Sequence, residues 1–205
     1  MPFPRLYAII DPAQTGKRTP VEVAATLLEA GVALIQYRSK HSSSRQMYED
    51  CVVIQERARR SGGVFIVNDR ADVALAVNAH GVHVGQSDLT VELARSVLGP
   101  GKWVGYSTHD LGQVRQADAS SANYIAFGPI FPTGSKENPD PVVGLAGLAE
   151  ARTATRKPLV AVGGITVENA RAVMEAGADS VAVISDLLKA PDLALRAKQL
   201  LGVSA

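Results

Sequence analysis

The chain has 205 residues, 46% of them hydrophobic and 20% charged, with a formal net charge of +1. That length sustains one well-buried core, and the balanced charge gives no reason to expect nucleic acid or an acidic membrane surface as a partner. Aromatic residues make up 5%, too few for a base-stacking platform, and the single cysteine, Cys51, has no partner for an internal disulfide.

A lone cysteine fits a reducing compartment. The opening "MPFPRLYAIID" lacks the apolar stretch of a signal peptide, and no segment is long and apolar enough to span a bilayer, so a cytoplasmic protein is expected.

Short apolar runs recur along the chain at residues 6–10, 33–37, 64–67, 81–84, 103–106, 124–127, 159–162 and 180–184. Most lack strict alternation, as expected of strands covered on both faces. Amphipathic segments separate them. The first, "TPVEVAATLLEAG", has Pro at its start and Gly at its stop. The second, "SSSRQMYEDCVVIQERARRSGG", opens on serine caps, closes on glycines and places Cys51 on an inner face as a small buried hydrophobe. Six more follow the same plan.

Eight strand–helix units predict a parallel sheet closed into a (β/α)8 TIM barrel, as a single domain over 1–205. The competing architecture is the doubly wound open sheet. Its G-x-G-x-x-G fingerprint is missing after the first strand, where the chain reads "YAIIDPAQTG".

Barrels of this kind carry their chemistry at the C-terminal ends of the strands, and polar residues gather there. After the second run comes "QYRSK", in which Gln36, Arg38 and Lys40 share one face while the chain stays extended. After the third and fourth runs come Asn68, Asp69 and Asp88. The two carboxylates suit one Mg²⁺, with phosphate oxygens and water completing its shell; Asp69 alone equally suits a helix cap. After the fifth run, Ser107 and Thr108 either donate to an anion or cap a helix, and His109 is either a general base or a local hydrogen-bonding group. His80 and His83 read as structural.

The sixth run leads into "GPIFPTGSKENPDP", a long loop holding Thr133, Gly134, Ser135 and Lys136. After the seventh comes "GGIT", with Gly164, and after the eighth come Ile184 and Ser185. Glycine lets backbone N–H groups approach an anion, and barrels often bind phosphate at these loops. The sum is a cationic, metal-equipped site on strands two to five and a neutral, backbone-type site on strands seven and eight. Two anionic substrates, one of them diphosphate-like, would fill them.

Taken in order, "QYRSK", "VNDRADVALAV", "GVHVGQSD", "GYSTH", "GPIFPTGSK", "VGGIT" and "AVIS" closely resemble the thiamine-phosphate synthase family, from about Leu6 to the final helix. The resemblance implies that a hydroxymethylpyrimidine diphosphate and a hydroxyethylthiazole phosphate, two small phosphorylated substrates, are joined into thiamine phosphate with release of pyrophosphate. It assigns Gln36, Arg38, Lys40 and Asn68 to the pyrimidine diphosphate, Asp69 and Asp88 to Mg²⁺, Ser107 to substrate and Lys136 to pyrophosphate. Thr133 and Ser135 fall to the thiazole phosphate, with Gly164, Ile184 and Ser185 around its phosphate. A homodimer is the family's precedent. Ser39, Ser135 and Ile10 depart from the residues the family often carries there. The alternatives are a thiazole tautomerase-like relative, which shares the monophosphate site and uses a histidine at the "STH" position, and a non-catalytic barrel that binds thiazole phosphate.

Overall fold

The computed structural model describes residues 2–134 and 140–204. In chain order the elements are β1 (Leu6–Ile10), α1 (Pro20–Glu29), β2 (Leu34–Tyr37), α2 (Ser44–Ser61), β3 (Val64–Asn68), α3 (Ala71–Ala76), β4 (Gly81–Val84), α4 (Val91–Leu98), β5 (Trp103–Thr108) and α5 (Leu111–Ala119). There follow β6 (Tyr124–Phe127), α6 (Gly144–Ala154), β7 (Leu159–Val162), α7 (Ala170–Glu175), β8 (Ser180–Val183), α8 (Ser185–Leu188) and α9 (Leu193–Ser204). Among the described residues, every strand pairs in parallel with its neighbours, and β1 pairs with β8 to close the barrel. The open-sheet alternative is thereby excluded.

The helices start where the local chemistry supplies caps. Thr19 and Glu22 form a reciprocal capping box at α1, while Ser43, Thr90 and Asp110 accept backbone N–H groups at the starts of α2, α4 and α5. Gly62 ends α2 in the left-handed region, at φ 73°. Cys51 is fully buried on the inner face of α2. No helix among the described residues is long and apolar enough to cross a membrane.

Apolar side chains separate into two layers. A large outer cluster packs the helices on the barrel, with Ile35, Phe65, Val67, Val82, Val104, Ile125 and Val181 facing outward from the strands. The smaller cluster fills the barrel itself: Tyr7, Ile9, Leu34, Ile66, Tyr124, Ala126, Val160 and Ala182. Alternate residues of each strand therefore serve opposite faces, as the pleat requires. Phe3 and Trp103 stack 5.4 Å apart beside Tyr124. Interior positions one pleat further along carry the polar groups, and these set the floor of the site.

Candidate active site

The C-terminal strand ends surround one cavity. Gln36, Arg38, Asn68, Ser107, Thr133, Gly164, Ile184 and Ser185 all line it. Ser135 and Lys136 lie outside the described residues. Lys40, Asp69 and Asp88 form a separate polar group, which begins one residue beyond cavity-lining Asn68.

β2 ends at Tyr37, so the extended spacing that aligned Gln36, Arg38 and Lys40 in the sequence stops before Lys40. Gln36 and Arg38 keep the cavity-facing position. Lys40 instead turns in the following loop and pairs with Asp69, Nζ to Oδ2 at 2.5 Å. Arg38 is held by Asp11, at 2.7 Å, with the pair largely shielded from solvent. Asp11 also accepts the Ala13 N–H with its other oxygen. The guanidinium is thus fixed in place before any ligand arrives, which lowers the ordering cost of binding.

Asp69 occupies the left-handed region, φ 63°, and its N–H donates to the His83 carbonyl. A non-glycine residue in that region is uncommon and often marks a site. The helix that follows has no side-chain cap, so Asp69 does not play the capping role open to it in the sequence. Asp88 accepts the Gly85 N–H at 2.7 Å. Burial, and then the hydrogen-bonded and negatively charged Asp69 beside it, push the Asp88 carboxyl above the usual carboxylate range. Two neighbouring carboxylates, one of them raised, suit one divalent cation between them. The described residues hold no cluster of three or more His, Cys, Asp or Glu, and a pair is what Mg²⁺ takes when phosphate and water complete its shell.

On the floor, a line of side-chain hydrogen bonds crosses the barrel. Gln36 Nε2 donates to Tyr7 Oη at 2.6 Å, Tyr7 and Tyr124 hydroxyls meet at 2.8 Å, Tyr124 Oη lies 3.1 Å from His83 Nδ1, and His83 Nε2 lies 2.8 Å from Ser107 Oγ. His83 was read from the sequence as structural; it lines the cavity. Gln86 donates to the Ser107 carbonyl and steadies that strand end. Thr108 also lines the cavity, its hydroxyl donating to the Ala126 carbonyl, and Asp110 caps α5, so neither hydroxyl of "ST" does. The His109 ring also lines the cavity. Its Nδ1 lies 2.7 Å from the Gly128 carbonyl, which only accepts, so Nδ1 carries the proton.

The opposite wall is backbone. Phe131 N–H donates to Gly163 O, and Ile130 N–H to Val162 O, tying the loop after β6 to the end of β7. Gly163 and Gly164 have φ 99° and 64°, and a Cβ on either would strike Pro129, Phe131 or the Pro132 carbonyl. The double glycine therefore serves first to let two loops touch, a reason the sequence reading did not contain. Asn169 locks the same turn, accepting Thr166 N–H and donating to Gly164 O. Just beyond, the short helix α8 begins at Ser185, next to the β7 loop, in the arrangement that barrels use for phosphate.

The thiamine monophosphate synthase family model matches residues 6–187. The chain belongs to that family. A thiamine-phosphate synthase from Koribacter versatilis is 51% identical over 193 residues, covering 92% of this chain and 91% of that protein. Another, from Chloroflexus aurantiacus, is 44% identical, covering 96% and 90%. The solved structure of a thiamine phosphate pyrophosphorylase from Pyrococcus furiosus superposes with a TM-score of 0.89 at 34% identity, covering 98% of this chain and 95% of that one. As a member of the thiamine monophosphate synthase family, the chain is a transferase of thiamine biosynthesis.

Among the cavity and support residues that carried no candidate role in the sequence are Asp11, Tyr7, Tyr124 and His83. Asp11 had a usable signal, an acid directly after the first apolar run. The tyrosines and His83 sit inside apolar runs and gave none.

Proposed function

We propose that this chain joins 4-amino-2-methyl-5-(diphosphomethyl)pyrimidine to 4-methyl-5-(2-phosphoethyl)thiazole, giving thiamine phosphate and pyrophosphate. The observation that carries the reading is the two-sided cavity. One wall holds Gln36, Arg38, Asn68 and Ser107, and the other is the Gly163–Gly164 turn with Ile184 and Ser185. Family membership supplies the reaction, and the charge distribution agrees with it.

In this reading the amino group makes the pyrimidine electron-rich. The exocyclic C–O bond breaks, its electron pair leaves with pyrophosphate, and the ring stabilises the remaining CH₂ cation. The thiazole ring nitrogen then donates its lone pair to that carbon. No covalent enzyme nucleophile is needed, and Cys51 is unsuited to be one: burial, with a smaller effect of Asp50, pushes its thiol up to about 12. Arg38, Lys40, Lys136 and Ser107 stabilise the departing charge, with Asn68 beside them as a hydrogen-bonding group. Asp69 and Asp88 would hold Mg²⁺, which supplies further positive charge for the leaving group when bound. Thr133, Ser135, Gly164, Ile184 and Ser185 take the thiazole phosphate. Groups of this preorganised kind are worth on the order of 10²–10³ in rate each.

The same reading takes residues 1–205 as one cytoplasmic domain acting on two small phosphorylated substrates, with a homodimer as the working state. The test is an assay with both substrates and Mg²⁺. Thiamine phosphate and pyrophosphate in equal amounts support it. Because His109 lines the cavity, the same assay carries a second arm: aromatisation of a thiazole tautomer with no coupling product would overturn the synthase reading in favour of a tautomerase. Ligand binding without product would leave a non-catalytic barrel.

A further inference from the structure

The hydrogen-bonded line from Gln36 through Tyr7, Tyr124 and His83 to Ser107 has a direction. Burial raises both phenol pKa values well above their ordinary range, so each tyrosine keeps its one proton. Each hydroxyl then donates once. A neutral imidazole likewise donates from one nitrogen and accepts at the other. Only two polarities run unbroken from end to end. In the first, Gln36 Nε2 donates to Tyr7, Tyr7 to Tyr124, Tyr124 to His83 Nδ1, and His83 Nε2 to Ser107. The Gln36 amide oxygen and the Ser107 proton are then both left for the cavity. In the second, every bond reverses, so the cavity receives the Gln36 N–H groups and a Ser107 lone pair.

We propose that Tyr7 and Tyr124 are positioning residues that hold this line in its first polarity, and that the pocket thereby selects a 4-aminopyrimidine over its 4-oxo counterpart. The inference rests on the synthase reading and deepens it. An amino group donates, so it meets the Gln36 oxygen; a departing diphosphate accepts, so it meets the Ser107 proton. A 4-oxo ring carries an acceptor where the amine was. It forces either a clash of two oxygens at Gln36 or the second polarity, which withdraws the Ser107 proton from the anion. The two ends are coupled through the floor of the barrel. The amide oxygen is available for this duty, since Gln36 lines the cavity and its amide bonds the protein through Nε2. Gly105 makes room for the line. A Cβ there would lie 2.0 Å from the Tyr124 ring and 2.5 Å from His83 Nδ1.

The experiment is calorimetric binding of the aminopyrimidine diphosphate and of its 4-oxo analogue, with Mg²⁺ present and thiazole phosphate withheld so that no coupling occurs. The parent chain binds the amino form more tightly by about tenfold or more, as buried polar sites do. Tyr7→Phe frees the amide to turn over, and the Kd ratio falls to within about threefold. Tyr124→Phe keeps the Gln36–Tyr7 contact but releases the Tyr7 proton toward the amide oxygen, and the ratio falls likewise. It gives the same readout if Tyr7→Phe is too unstable to purify. A purely structural role would weaken both ligands equally. A ratio unchanged in the variants, or no discrimination in the parent, overturns the inference. Failure of the parent to make thiamine phosphate in the separate turnover assay would instead overturn the synthase reading.

Discussion

Asp88 carries a cost that a metal would relieve. Its carboxyl is raised chiefly by burial and next by Asp69, so its ionised form is disfavoured in the folded chain. The stability this group contributes is present at low pH and is lost as pH rises through its raised range. Asp88→Asn keeps an oxygen for the Gly85 N–H and removes the charge. Its thermal midpoint at neutral pH without metal should therefore equal or exceed the parent's, with the gain shrinking as pH falls. The same variant should need about tenfold or more Mg²⁺ for half-activity. An unchanged Mg²⁺ titration would remove Asp88 from the metal shell. Gly105 makes the opposite trade. Gly105→Ala should destabilise by about 1–3 kcal/mol through overpacking against Tyr124, read from denaturant unfolding, and should also lower affinity for the pyrimidine. Full stability and affinity would mean that Tyr124 and His83 have room the geometry does not show.

Among the elements, the β7 turn and α8 form a braced unit. Asn169 clamps the turn from inside. From outside, Asp186 accepts the Val167 N–H and lies 3.7 Å from Arg196 of α9, which also reaches Glu168 at 3.4 Å. Asn169→Ala should raise the KM for thiazole phosphate several-fold while leaving that for the pyrimidine diphosphate nearly unchanged, because it releases one wall only. Equal increases for both substrates in steady-state kinetics would contradict a local brace. The sequence revealed the "GG" of this unit but neither α8 nor the brace. Four helical residues are too few to display a 3.6-residue period, and Asn169 reads as an ordinary polar residue near a helix start. The second run ends at Tyr37 in the sequence and in the structure alike, so alternation aligns Gln36 and Arg38 but has no strand left to carry Lys40 onto the same face.

At the scale of the whole molecule, the eight apolar runs sufficed for the barrel, because each ends in a polar cluster and alternates with a capped amphipathic segment. What the runs could not reveal was which of their alternate residues face the interior. In a strand covered on both faces the two sets look alike, so His83 in "GVHV" and Tyr124 in "YIAF" passed for filler. Pairings across strands, such as Arg38 with Asp11, depend on closure and register, which no local pattern contains. The account as a whole stands on one claim: a leaving diphosphate sits where the ends of β2, β3 and β4 meet, held by Arg38 and by a metal on Asp69 and Asp88. A crystal structure of the chain grown with Mg²⁺ and pyrophosphate tests it most directly. The account predicts metal bound by both carboxylates, with pyrophosphate bridging it to Arg38. Pyrophosphate ordered elsewhere, with Asp69 and Asp88 free of metal, would contradict it.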